Sequence, residues 1–289
     1  MKLRTQFALL IFPFLLATEC PAAIKAIETN PLEEARDALQ KQDYESALKS
    51  LSEALEKEPE NPEALLWRAR ILSDQGEFEK AMADIEEVLR VAPGQPQAIA
   101  QRGFISQKQG QLDAALADYN TALRSNPQDD WTLYCRGLLL IQRNFPTASM
   151  ADLNASLGLN PRNIGARLAR GQVYLFRRDW NQAATDFDTA VRQEPENGAA
   201  HAGLATASLG MGAYKQAIEE FTEVVKLVPN DPRPLVERGN AHSFVKEYDQ
   251  ASADYEAALA LDPKSVIALT AQADLARVQQ KWDDAIKGY

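Results

Sequence analysis

Cysteine and histidine are scarce in this sequence, two of each in 289 residues. Cys20 falls in an N-terminal segment with its own logic, so Cys135 stands alone and no internal disulfide can staple the fold. Stability must come from packing. His201 and His242 are not spaced as metal ligands and no cysteine joins them, which leaves no metal site and no cofactor to expect. Lysine and arginine fall short of aspartate and glutamate, 31 against 41, and the sequence pI is about 4.9. No Lys/Arg cluster stands out along the chain. Nucleic acid and anionic membrane surfaces are therefore poor partners, because both are held by basic patches. Walker loop, GxSxG, HExxH and paired-cysteine motifs are all missing, so no catalytic residue and no small-molecule substrate suggests itself.

Long apolar runs are missing as well. The opening stretch MKLRTQFALLIFPFLLATECPAA places Lys2 and Arg4 before an apolar run over residues 7–16, interrupted by Pro13, with small residues at Ala22 and Ala23. A membrane-spanning helix needs ~20 apolar residues, whereas this layout is that of a secretory signal peptide over 1–23. The expectation is an exported protein, periplasmic or extracellular, with no transmembrane anchor once the signal is removed. Glu19, directly before Cys20, fits a lipoprotein signal poorly and argues against lipid anchoring there.

What remains is 45% hydrophobic and 25% charged, a globular composition, and it is strongly periodic. Pro59, Pro93, Pro127, Pro161, Pro195, Pro229 and Pro263 stand 34 residues apart. Twelve residues before each is a small residue: Ala47, Ala81, Ala115, Ser149, Ala183, Ala217 and Ala251, with Ala285 once more. Four residues after each small one is a bulky one: Leu51, Ile85, Tyr119, Leu153, Phe187, Phe221, Tyr255 and Tyr289. Spacing of i, i+4 puts both on one helical face. A second small column (Ala35, Ala69, Gly103, Gly137, Gly171, Ala205, Gly239, Ala273) predicts a close helix crossing upstream.

Between the two helices of each repeat, Gly76, Gly110 and Gly212 suit a left-handed helix end. Asn144 suits it tolerably, and Gln42, Arg178, Lys246 and Gln280 less well. An aromatic or bulky column then starts the second helix: Tyr44, Phe78, Leu112, Trp180, Tyr214, Tyr248 and Trp282. Pro146 breaks this column and predicts a distorted or reset turn in the fourth repeat. Asn30-Pro31, Asn61-Pro62 and Asp231-Pro232 read as helix starts. Arg68, Arg102, Arg136, Arg170 and Arg238 each have an aspartate sixteen residues on: Asp84, Asp118, Asp152, Asp186 and Asp254. Where the arginine is missing so is the aspartate, as with Leu204 and Glu220, which predicts a structural ion pair joining the two helices. His201 and His242 fall in columns that hold Leu or Tyr in other repeats, and read as core positions.

A 34-residue period, two helices, small residues at the crossing and a terminal proline resemble the tetratricopeptide (TPR) repeat. The resemblance covers eight repeats within 24–289: 28–61, 62–95, 96–129, 130–163, 164–197, 198–231, 232–265 and an incomplete 266–289. It implies an all-α, right-handed superhelical solenoid of antiparallel helix pairs whose first helices line a groove. In the fourth repeat Trp131, Tyr134, Leu138 and Ile141 form one stripe while Leu133, Gly137 and Leu140 form another. With Phe104 in the third repeat and Leu168, Leu175 and Phe176 in the fifth, the first stripe predicts a partner-binding groove. The lysines, asparagine and arginine of a carboxylate clamp are not in place; Leu66, Arg70, Ala100, Phe104, Tyr134, Leu138, Val236 and Asn240 stand there instead. The resemblance thus implies a non-enzymatic scaffold for a protein or peptide partner. Two other roles fit: a targeting or stability arm of a larger enzyme or envelope complex, and self-association.

Overall fold

The computed structural model describes residues 30–288, so the signal peptide expected at 1–23, Cys20 and Tyr289 lie outside the described residues. Among the described residues there are sixteen helices and no strand. The described residues divide into two compact bodies, parted after Pro59. The first holds α1 (Pro31–Gln40) and α2 (Tyr44–Lys57). The second begins with α3 (Pro62–Asp74) and α4 (Phe78–Val91), then α5 (Pro96–Lys108) and α6 (Leu112–Ser125), then α7 (Asp130–Gln142) and α8 (Pro146–Leu159). It continues with α9 (Ile164–Phe176) and α10 (Trp180–Gln193), α11 (Gly198–Gly210) and α12 (Tyr214–Leu227), α13 (Pro232–Phe244) and α14 (Tyr248–Leu261), and α15 (Val266–Val278) and α16 (Trp282–Gly288).

Each pair is closed by the same turn. Gln42, Gly76, Gly110, Asn144, Arg178, Gly212, Lys246 and Gln280 all have φ between 58° and 81°. The next amide then reaches back to a carbonyl of the last helical turn, as from Asp43 to Ala38 (2.9 Å) and Asp179 to Tyr174 (2.9 Å). This arrangement satisfies helix-end carbonyls that would otherwise be orphaned. Pro146 does not distort it, contrary to the sequence expectation. Asn144 has φ 62°, the Phe145 amide lies 2.8 Å from the Leu140 carbonyl, and Pro146 becomes the first residue of α8. At that position proline's fixed φ suits the helix and its missing amide hydrogen has no partner to lose. The expected starts hold their caps: Asn30 accepts from the Leu32 amide, Asn61 from Glu63 and Ala64, and Asp231 from Arg233.

In the second body each helix packs on the next, and α3 also touches α5, α5 touches α7, α7 touches α9, α9 touches α11, and α13 touches α15. The result is an all-α solenoid of helix pairs. Its core is the bulky column: Ile85, Tyr119, Leu153, Phe187, Phe221 and Tyr255 are all buried. Phe187 shows why the crossing column is small. A Cβ on Gly171 would sit 2.8 Å from its ring and one on Gly203 would sit 2.3 Å away. The ring is gripped between two glycines because neither neighbour has room for a methyl group.

Candidate functional site

The five arginines close forks on their aspartates. Nε donates to one carboxylate oxygen at 2.7–2.9 Å and Nη2 to the other at 2.5–2.7 Å. The geometry is bidentate and charge-assisted, the strong form of the interaction. Three arginines also reach into the preceding repeat: Arg136 Nη1 donates to Asn120 (2.8 Å), Arg170 to Asn154 (2.8 Å) and Arg238 to Thr222 (3.3 Å). Hydrogen bonding to the carboxylates raises the pKa of Arg68, Arg102, Arg170 and Arg238. All five forks join the two helices of a repeat, and Arg136, Arg170 and Arg238, which also reach the preceding repeat, have little left for a ligand. In the sixth repeat, where Leu204 replaces the arginine, His201 takes over from one turn earlier: its Nδ1 lies 2.6 Å from Glu220 and its Nε2 2.9 Å from the Pro195 carbonyl. His242 is half-buried and lies 2.7 Å from Glu247. Both histidines are thus polar bridges, a role that the leucine-bearing columns concealed.

Seven of the eight predicted groove residues are half-buried, a correction to the open stripe expected from sequence. The Phe104 and Trp131 rings pair at 5.7 Å and pack with Tyr134 on Ala115, Tyr119, Cys135 and Leu139. Leu138 and Ile141 lean on a cluster that includes Met150, Leu153 and Val173, and Leu168 and Leu175 lean on one with Phe187 and Leu204. Helix α7 has neighbours on both sides, so the stripe assigned to the groove packs in part instead of facing water. Tyr134 reaches α9 so closely that a Cβ on Gly165 would meet its hydroxyl at 2.7 Å. Phe176 is the exception, 72% exposed.

Gaps between neighbouring helices form cavities. One of about 220 Å³ is lined by Leu66, Trp67, Arg70, Gln97, Gln101, Asp129 and Trp131, with the Arg70 guanidinium 5.7 Å from the Trp131 ring centre. Lys108 stands 5.2 Å over Phe104 beside it. A second of about 240 Å³ is bounded by Ile141, Asn144, Pro146, Gln172, Val173 and Phe176. A larger one, about 610 Å³, lies outside the predicted groove, between α13 and α15, where Phe244, Val266, Ile267 and Val278 are exposed. Two β-branched residues side by side at the start of α15 were its sequence signal.

Burial pushes the Cys135 thiol up to about 12 and raises the phenols of Tyr119 and Tyr134. A buried, protonated thiol is inert. Among the described residues, no three His, Cys, Asp or Glu side chains are grouped to hold a metal, and no helix is long and apolar enough to cross a membrane.

A tetratricopeptide repeat family model matches residues 32–96, 168–232 and 236–289, and a second such model matches 70–132. A tetratricopeptide repeat protein of Parabacteroides merdae is 26% identical, with a TM-score of 0.52 over 86% of this chain and 97% of its own. The pilF protein of Pseudomonas aeruginosa is 18% identical, with a TM-score of 0.66 over 74% of this chain and 97% of its own. A chain of the Cut9–Hcn1 hetero-tetramer is 17% identical, with a TM-score of 0.68 over 88% of this chain and 49% of its own. No curated protein sequence matches.

Proposed function

The chain belongs to the tetratricopeptide repeat family, and from that premise we propose that it is an exported, non-enzymatic scaffold that binds a segment of a protein partner along the first helices of repeats two to five. The fold is generally a protein-interaction scaffold, each repeat burying its neighbour's apolar face while the array presents a long surface. The observation that carries the reading is the aromatic and cationic character of that face. Phe104 and Trp131 are half-buried under Lys108 and Arg70, beside a cavity of about 220 Å³. Rings, an arginine and a desolvated pocket are the usual components of an interface hot spot. Export rests on the layout of residues 1–23.

A photo-crosslinking amino acid in place of Gln97, which is exposed and lines that cavity, tests the reading in the exported fraction of the producing cell. One discrete heterologous adduct is expected. No adduct, or adducts only between copies of this chain, would overturn it. Leu138→Asp is a poor probe, because Leu138 packs on the Met150 and Leu153 cluster and a carboxylate there disturbs the core as well as the face.

A further inference from the structure

The residue that opens each second helix has a counterpart thirty positions later, at the end of the next repeat's first helix. Trp180 lies so close over Gly210 that a Cβ there would sit 2.4 Å from the indole. Tyr214 stacks on Phe244, the ring centres 4.7 Å apart and the planes at 10°. In the fourth repeat the opening residue is Pro146 and its counterpart is Phe176. No ring from α8 covers Phe176, which is 72% exposed beside a cavity of about 240 Å³. That volume is below the ~300–1,000 Å³ of small-molecule pockets and suits one side chain. The next two repeats supply a ring from their own chain; here α8 supplies none.

The segment that supplies the cavity walls is rich in arginine, although Arg136, Arg143, Arg170 and Arg177 each meet an aspartate. The chain carries a net charge of −10, yet residues 136–178 contain seven arginines and a single acidic residue, Asp152. Spread thinly, the excess forms no run that a scan for basic clusters would find. Arg143 adjoins the lining residue Asn144, and Arg177 and Arg178 follow Phe176. Arg143 meets Asp113 at 2.9 Å and Arg177 meets Asp179 at 3.3 Å, but exposed Arg178 has no ion-pair partner among the described residues.

We propose that the cavity between α7, α8 and α9 receives one aromatic side chain of a protein partner, flanked in the partner's sequence by acidic residues. This rests on the scaffold reading and names the anchor that the partner brings. The ring would stack on Phe176 where Trp180 and Tyr214 cover their own counterparts, and a flanking carboxylate would meet the exposed Arg178. Arginine and aromatic anchors seated in a preformed pocket are where interface energy concentrates, and the rim charge adds steering that salt screens.

The test is fluorescence anisotropy of a labelled, capped pentapeptide, tryptophan between two pairs of glutamates, titrated with the full chain. Binding is expected at least about tenfold tighter than for the same peptide with alanine in place of tryptophan or lysines in place of the glutamates, a difference of about 1.4 kcal/mol. Pro146→Trp, which fills the cavity from within, and Phe176→Ala, which removes the stacking face, should each remove that preference. Equal binding of the three peptides overturns the proposal, as does binding unaffected by both variants or absent at ~1 mM peptide, the weak end of specific recognition. Self-association of the chain that Pro146→Trp abolishes would assign the cavity to a second copy and also overturn it. A Gln97 adduct that persists in Pro146→Trp, with no peptide bound by the parent chain, overturns the anchor and leaves the scaffold standing. Loss of the Gln97 adduct in the unmodified chain as well removes both.

Discussion

The junction between repeats four and five and the junction between repeats five and six share a backbone and differ in filling. The repeat that leads into each junction, the fourth or the fifth, turns between its own two helices through a left-handed residue, Asn144 at φ 62° or Arg178 at φ 60°, and sends the next amide back to its first helix. In the later junction Trp180 closes over Gly210, and Phe187 is held between Gly171 and Gly203. In the earlier one Pro146 leaves Phe176 open, and the smaller Leu153 packs against Ala169. Side-chain volume, with the backbone held constant, thus decides whether a junction is sealed or offers a cavity. A repeat can vary its surface without disturbing its neighbours.

Breaking the sealed junction should have the largest effect. Asp186 is nearly buried; it accepts two hydrogen bonds from Arg170, and Arg167 lies 3.5 Å away. Asp186→Ala strands those cations and should cost about 3 kcal/mol, near the low end for breaking a buried pair because Arg170 keeps some access to water. The urea midpoint is the measurement, and an unchanged midpoint would mean that the fork contributes register alone. Replacing Arg170 and Asp186 together with methionine and leucine should cost far less than Asp186→Ala, since the pair as a whole is worth little against apolar packing.

Gly203→Ala comes next. The added methyl would sit 2.3 Å from the Phe187 ring, which Gly171 blocks on its other side. Overpacking of this kind costs about 2 kcal/mol. The same urea titration checks it, and Phe187→Leu in the same chain should recover part of the loss by restoring the leucine and alanine pairing of the open junction. A loss that Phe187→Leu leaves untouched would show that the two positions do not compete for space.

The period, the helix pairs, the small and bulky columns and the arginine–aspartate forks were all legible in the sequence. Each is a local pattern repeated five to eight times, so a single substitution could not hide it. The groove was less legible. Trp131, Tyr134, Leu138 and Ile141 form a genuine helical stripe, but a stripe does not say whether solvent or the next repeat covers it, and here the neighbouring repeats cover most of it. His201 was hidden for a related reason: its partner Glu220 comes from the other helix of the repeat, nineteen residues away, outside the sixteen-residue spacing of the arginines. Pro146 misled because its departure from an aromatic column looked like a backbone signal. Its consequence is the missing ring over Phe176.

Pro146→Trp should therefore sharpen the comparison by making the open junction resemble the sealed one. A ring stacked on Phe176 is worth about 1 kcal/mol beyond the area it buries, and the urea midpoint should rise accordingly. A fall in the midpoint would mean that the cavity is held open by its walls and cannot close around a ring.

The smallest effect separates the two turn residues themselves. Arg178 holds a left-handed conformation at φ 60° that costs a residue with a Cβ about 1–2 kcal/mol. Glycine removes that strain but loses about 0.5–1 kcal/mol through the greater freedom of the unfolded chain. Arg178→Gly should then stabilise by about 0.5 kcal/mol, the residual of those two terms. Asn144→Gly should be nearly neutral, because asparagine visits the left-handed region with help from its own side chain. A gain at Asn144 equal to that at Arg178 would show that the turns differ in no way that the residue type relieves. Because Arg178 also supplies the open charge beside Phe176, its glycine variant should gain stability while losing affinity for an acidic peptide, a split that a purely structural arginine would not produce.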